Sequence, residues 1–270
     1  MARSKREDWA RRVYEDNAVV YQPVLEAGLR TAPAEVRGLV RVFKSHGIGG
    51  GSSILDVACG IGRHSVLLAK AGYQVTGVDP SSTFLTRAKE LAAEEGVTQN
   101  VGFTRGRFAN LLEVLPGEKQ GKFNGIILMD SSVGVTERDK DDQALLRDLG
   151  KAAAKGAVLV VEIFDRDYAT KHFGRTLVEE FPGDLVRIWK RLSPLGSRVL
   201  EADWSFYRRE SDQSLKHLLT TRVRSRHYSA GELRGLAEKA GWKYLACYGS
   251  LKDFHRFTKN DFRAFLIFAR

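Results

Sequence analysis

The chain has 270 residues, 43% of them hydrophobic, enough to bury a large core without disulfides or a structural metal. Its two cysteines, Cys59 and Cys247, match no metal-ligand spacing and no disulfide framework, so no metal is expected. A net charge of +10 favours an anionic partner without naming one. There is no long apolar run to cross a membrane and no apolar leader, so a protein of the cytoplasm with no membrane partner is expected.

The N-terminal part reads as helices. Trp9, Ala10 and Val13 share one face of a charged segment that continues to Tyr21 and is expected to stop at Pro23. A second helix starts near Pro33, carries Val36, Leu39, Val40 and Phe43 at core spacing, and ends at Gly47. The glycine cluster at 47–51 looks like a phosphate loop, but it precedes a strand instead of following one, and it reads as a flexible lead-in.

From residue 53 strands and helices alternate. Strands are expected at 53–58, 74–79, 101–106, 123–129 and 157–164. After Ser81, an apolar face of Phe84, Leu85, Ala88, Leu91 and Ala92 marks a helix closed by Gly96. Ala144, Leu145 and Leu149 mark another between Arg138 and Ala154. Near-continuous apolar strands separated by amphipathic helices imply a parallel sheet covered on both faces, an α/β fold.

Residues 185–230 break this rhythm with three strand-like runs joined by tight polar turns, an inserted antiparallel patch. This segment holds ten Lys/Arg against four Asp/Glu. A solvated face explains that excess, and so does an anionic substrate or a nucleic acid. Ser229 and Glu232 then form a capping box for a helix stopped by Gly241, and two strands follow, at 242–249 and 263–269. The organisation expected is a helical extension over 1–50 and one α/β domain over 51–270 that contains the insert.

The segment ILDVACGIGRHSVLLA, at 54–69, decides the ligand class. A glycine turn between strand and helix brings backbone close to a ligand at a helix N-terminus. The nicotinamide form needs a third glycine three residues on, which is absent where Ser65 stands. Asp56 precedes the first glycine by four residues, which suits a ligand with an ammonium and a sulfonium and repels a pyrophosphate. Asp79 ends the next strand, 23 residues after Asp56, where a carboxylate can accept from both hydroxyls of a ribose.

On these residues, ILDVACGIGRHSVLLAKAGYQVTGVDPSSTFLTRAKE resembles the cofactor site of the class I S-adenosylmethionine-dependent methyltransferases. The C-terminal RHYSAGELRGLAEKAGWKYLACYGS is similar to the end of their small-molecule branch. The resemblance implies a Rossmann-like, doubly wound seven-stranded sheet ordered 3-2-1-4-5-7-6, with only strand 7 antiparallel. It implies S-adenosylmethionine as cofactor, with Asp56, Ala58, Gly60 and Gly62 at its methionine end, Asp79 on the ribose, and Pro80 and Ser81 beside the adenosine. The adenine position, usually acidic, holds Gly106-Arg107-Phe108, so recognition there falls to backbone N–H groups and to Phe108. Asn124 stands where the fourth strand often has an aspartate and is given no role. Met129, Asp130 and Ser131 face the place of the transferred methyl group.

Methyl transfer is an in-line displacement in which positioning does most of the work, so no conspicuous catalytic group is required. Asp130 is a candidate to accept a proton or orient an acceptor, with a capping or loop carboxylate as the alternative. Tyr228 is a second catalytic candidate and His227 a substrate-side one, both with packing as the alternative. Tyr14 and Tyr21, on an extension that forms a lid over the cofactor in related enzymes, are expected as gate residues that touch substrate together with Ser131, with core packing as the alternative for the two tyrosines. His64 covers the first helix turn, and Asp165 caps or lines the site.

A small-molecule acceptor is the leading expectation. An RNA methyltransferase using the basic insert is the alternative, although the fourth strand lacks the loop that grips a flipped base, and neither cysteine is placed for attack on a pyrimidine. A non-catalytic S-adenosylmethionine-binding protein is the third reading. The sequence sets no oligomeric state.

Overall fold

The computed structural model describes residues 8–117 and 120–270, so part of the expected 1–50 extension lies outside the described residues. Strands β1 (Ser53–Val57), β2 (Gln74–Asp79), β3 (Val101–Arg105), β4 (Phe123–Leu128) and β5 (Ala153–Phe164) run parallel. With β10 (Lys243–Tyr248) and β11 (Arg263–Ala269) they form one sheet in the order β3-β2-β1-β4-β5-β11-β10. β11 is antiparallel to both its neighbours. This is the Rossmann-like sheet that the resemblance implied, with β11 as its reversed strand.

Side-chain alternation divides the core between the two faces of the sheet. Leu55, Val57, Ile126, Leu128, Leu159 and Val161 point to one side, where they pack with Leu145, Leu146 and Leu149 and with Leu233. These belong to helices α7 (Asp139–Ala152) and α9 (Ala230–Lys239). Ile54, Ile127, Val158 and Val160 point to the other side and pack with Leu39, Phe43 and Val66. Those lie on α3 (Ala32–Ser45) and α4 (Arg63–Lys70). α5 (Ser82–Glu94) follows β2 and is capped by Ser81, whose hydroxyl accepts from the Phe84 N–H at 3.4 Å.

The extension folds as α1 (Trp9–Arg11), a π-helical turn over Arg12–Asp16, and α2 (Ala18–Ala27). α2 does not stop at Pro23 but carries it inside. Pro23 removes the bond to the carbonyl of Val19, one turn earlier on the same face. Val19 is 72% exposed, so the missing bond falls on the surface side of α2. The glycine cluster ahead of β1 is tied down, with the Gly51 N–H donating to Gly72 at 2.7 Å and the Tyr73 hydroxyl donating to Ile48.

The insert has four strands, not three. α6 (Leu111–Val114) and α8 (Arg166–His172) precede β6 (Thr176–Phe181), β7 (Leu185–Arg191), β8 (Val199–Arg209) and β9 (Leu215–Arg226), a fully antiparallel sheet. β6 is the added edge strand. It supplies Glu179, paired across the strands with Arg187 at 2.7 Å, and Glu180, paired with Arg209. Arg222 pairs with Asp203, Arg224 with Glu137 and Glu201, and Arg226 with Asp139. Much of the arginine excess over 185–230 is therefore met by carboxylates, several of them from outside that span.

Candidate active site

Between β1 and α4 the backbone enters the left-handed region at alternate residues, Ala58 (φ 58°), Gly60 (φ 55°) and Gly62 (φ 75°). This curls the turn around the end of β1 and presents main chain to a cavity. Ala58 holds that conformation against a steric cost of about 1–2 kcal/mol. Gly62 serves packing instead. A Cβ there would stand 2.9 Å from Ala88 on α5 and from the Phe103 ring on β3, and Gly62 does not line the cavity.

Two buried carboxylates flank the turn. Asp56 accepts the Ser65 hydroxyl at 2.6 Å, and burial raises its pKa against the pull of His64 and Ser65. Asp79 accepts from the Gly60 N–H and from the Ser81 N–H, each at 2.9 Å. Burial still pushes it up to about 6. Both line a cavity of about 490 Å³, within the range of small-ligand sites. Of the ten residues expected at the cofactor, Asp56, Ala58, Gly60, Asp79, Pro80, Arg107, Phe108 and Met129 line this cavity. Ser81, like Gly62, stands behind it, capping α5 and bracing Asp79.

The N-terminal segment closes one side. Tyr14 and Tyr21 line the cavity with ring centroids 5.0 Å apart, edge to face. Burial raises both phenols, Tyr14 strongly, so at neutral pH they are neutral hydrogen-bonding groups. Glu15 reaches the end of β3, where it binds Arg107 and, at 3.3 Å, Arg105. The Arg107 side chain is thus held by the N-terminal segment while its own N–H donates to Asn110 at 2.7 Å.

A second chamber of about 520 Å³ adjoins the first, between the insert and the N-terminal helices. Tyr14, Tyr21, Arg63, Asp130 and Ser131 line both. Asp130 and Ser131 follow β4 in left-handed backbone (φ 55° and 54°), which turns them into this junction. Asp130 is fixed from two sides. Its carboxylate lies 2.6 Å from Arg63 Nη2, and its N–H donates to Glu162 Oε2 at 3.0 Å. Arg263 binds Glu162 and, at 2.8 Å, Glu35, which accepts from His64 at 2.8 Å. Burial raises Glu35, but the hydrogen bond from His64 and the charge of Arg263 outweigh it and hold the acid down to about 2. Sequence reasoning missed Arg63, Glu35, Glu162 and Arg263. Glu162, an acid inside an apolar strand, was the legible signal.

A family described as a methyltransferase domain matches residues 54–156. A glycine/sarcosine N-methyltransferase of Parasynechococcus marenigrum is 26% identical over 234 residues, 86% of this chain and 76% of that protein. A 2-heptyl-1-hydroxyquinolin-4(1H)-one methyltransferase of Mycobacteroides abscessus is 32% identical over 134 residues, 49% of this chain, so the chain spans 52% of that relative. An S-adenosylmethionine-dependent methyltransferase from Clostridium acetobutylicum superposes with a TM-score of 0.74 over 94% of this chain and 97% of that one. At 14% identity that likeness concerns the fold. Residues 54–156 carry a methyltransferase domain, and the chain has the fold of the S-adenosylmethionine-dependent methyltransferases.

The donor set of this methyltransferase fits S-adenosylmethionine. A left-handed backbone cradle lies against two buried acids, and Gly60 leaves room where a Cβ would meet Leu25 at 3.3 Å. Not every candidate belongs to the methyltransferase's cavities. Tyr228, expected as a catalytic group, is 3% exposed in the core under α7 and lines neither chamber. Its hydroxyl donates to Asp142 at 2.8 Å, with Asp139 3.2 Å away, and burial with those two acids pushes its pKa far up. It is a packing residue. His227 does line the second chamber. Asp165 is a cap for two helices, accepting from Asp167 and Tyr168 on α8 and from Ala230 on α9. Asn124 accepts from the Ser53 N–H at 3.1 Å, a link between β4 and β1.

Proposed function

We propose that this methyltransferase transfers a methyl group from S-adenosylmethionine to a small molecule seated in the second chamber. The observation that carries the reading is the shared wall. Two ligand-sized cavities meet at Asp130, Ser131, Tyr14 and Tyr21, and one of them is bounded by the glycine turn. When bound, S-adenosylmethionine supplies an electrophilic methyl on a sulfonium.

The chain's residues do the remainder. Asp79, pre-set by two backbone donors, keeps lone pairs for the ribose hydroxyls, and Asp56 and the 58–60 main chain face the amino-acid end. Pro80, Arg107 and Phe108 form the adenosine wall. Asp130, anchored by Arg63 and Glu162, accepts a hydrogen bond from the acceptor's N–H or O–H and fixes its lone pair toward the first cavity. Tyr14 and Tyr21 exclude water from the junction, where charge is dispersed as the methyl moves. The N-terminal helices act as a lid fastened by Glu15.

The chamber's aromatic walls and the pairing of several of the insert's arginines with carboxylates favour a metabolite over RNA. Release of S-adenosylhomocysteine is the assay, run over a panel of small amines, phenols and acids and over tRNA and rRNA fragments. Turnover with a small molecule supports the proposal. Turnover with RNA only, falling steeply with salt, would replace it.

A further inference from the structure

The second chamber has two unlike ends. At the end shared with the first cavity stand Tyr14, Tyr21 and Asp130. The far end is formed by α8, the 193–197 loop, the end of β7 and the end of β9, with Thr170 on α8 facing Gly196 of the loop. There the lining side chains include Arg166, Arg191, Arg226 and His227, with the hydroxyls of Ser193 and Ser197.

The charge of this far end is one-sided. Arg166 pairs with Glu232 at 2.7 Å and Asp167 at 3.2 Å, and Arg226 pairs with Asp139 at 2.6 Å. None of those three acids lines the chamber, whereas Arg166 and Arg226 do. Glu232 is also shared with Arg198 at 2.8 Å, so one carboxylate serves several arginines. Arg191 goes further. Among the described residues no carboxylate pairs with it, and its Nη2 has only the Phe173 carbonyl, at 3.4 Å. The acids that do line the chamber are Glu35, Asp130 and Glu179, bound to Arg263, Arg63 and Arg187 respectively.

We infer that the far end is an anion subsite, so that the methyl acceptor carries a carboxylate or phosphate held by Arg191 and Arg166, with its nucleophile at the opposite end beside Asp130. This rests on the chamber being the acceptor site. A guanidinium with open donors binds either oxyanion, bidentate where geometry permits. His227 completes the subsite as a neutral donor. Burial, then the charges of Arg226 and Arg166, lower its pKa to about 4, so it adds a hydrogen bond without a further charge. The aromatic walls between the ends, including Phe164 and Trp204, suit a flat or apolar body. The acceptor class is therefore an amphipathic small acid.

Calorimetry with matched probes tests this, with and without saturating S-adenosylhomocysteine. Benzoate is compared with benzamide, and phenyl phosphate with phenol. We expect at least one anion to bind about tenfold or more tightly than its neutral partner, and the better anion separates carboxylate from phosphate. Arg191→Gln should abolish the preference and Arg191→Lys should retain part of it. If Arg191→Gln does not fold, the preference of the wild-type chain decides alone. Equal binding of acid and neutral probes, absence of binding by both anions, or a preference that survives in Arg191→Gln overturns the inference. S-adenosylhomocysteine binding is read in the same titrations, so a failed anion subsite and a failed cofactor site give different results.

Discussion

Arg63 Nη2 and Asp130 Oδ2 lie 2.6 Å apart, joining the first turn of α4 to the loop that follows β4. The Arg63 side chain is 8% exposed and that of Asp130 is 40%, so the pair has one foot in the core and one in the cavities. Arg63 Nε has no hydrogen-bond partner in the described residues, which leaves Asp130 as the main anchor of a buried cation. Asp130 is consequently both a structural counter-charge and the carboxylate nearest the proposed transfer point.

These two roles separate by substitution. Asp130→Asn keeps an acceptor for Arg63, so the stability loss should be about 1–3 kcal/mol. Asp130→Leu strands the buried guanidinium and should cost about 3–5 kcal/mol. In Asp130→Asn, kcat should fall on the order of 10²-fold, with S-adenosylhomocysteine affinity within about threefold of wild type. Denaturant unfolding and single-turnover methyl transfer measure both; an unchanged kcat would remove Asp130 from the transfer site.

Asp79 should govern cofactor affinity and its pH dependence. Asp79→Ala is expected to weaken S-adenosylhomocysteine by tenfold or more, about 1.4 kcal/mol. The carboxyl is raised to about 6 in the ligand-free fold. The charged form is the better acceptor for ribose hydroxyls, so affinity should rise as pH passes upward through 6, and Asp79→Ala should flatten that rise. Stability runs the opposite way. A raised acid binds its proton more tightly folded than unfolded, so between the ordinary carboxylate range and about 6 the ligand-free fold loses this contribution as pH increases. Asp142, also raised to about 6 by burial, adds in the same direction. Calorimetry and urea unfolding between pH 4.5 and 8 read the two trends separately.

Much of this was legible from the chain. The β-α alternation, the turn from Asp56 to Gly62 and the spacing to Asp79 located the sheet order and the first cavity, because strand ends in such sheets carry their ligands at fixed places. Three things were not legible. β6 is short, and its Glu179 and Glu180 read as a polar loop until Arg187 and Arg209 are seen beside them. Pro23 looked like a stop because the exposure of Val19, whose bond it removes, is a tertiary fact. Tyr228 precedes a capped helix near His227, yet adjacent residues on an extended segment point to opposite sides, one to the chamber and one to the core.

The Tyr228 correction has its own test. Tyr228→Phe removes one donor to the buried Asp142, which keeps the Gly134 N–H at 3.0 Å. Stability should drop by about 1–2 kcal/mol while kcat and KM stay within about twofold. A loss of kcat without a loss of stability would return Tyr228 to the catalytic group.

Glu15 should set how long the cofactor stays. Its carboxylate fastens the N-terminal segment to Arg105 and Arg107. Glu15→Gln is expected to raise the S-adenosylhomocysteine dissociation rate by about five- to tenfold with little change in association. Added salt should raise the wild-type rate and leave the variant's nearly constant, because screening acts on the same ion pairs. Stopped-flow displacement measures all four rates.

The most direct test of the central claim is a crystal structure of the protein soaked with S-adenosylhomocysteine. The account predicts ribose density against Asp79, the amino-acid portion along Asp56 and the 58–60 backbone, and the sulfur directed to the Asp130–Ser131 junction. Nucleoside density in the second chamber, or a sulfur turned away from that junction, would contradict it.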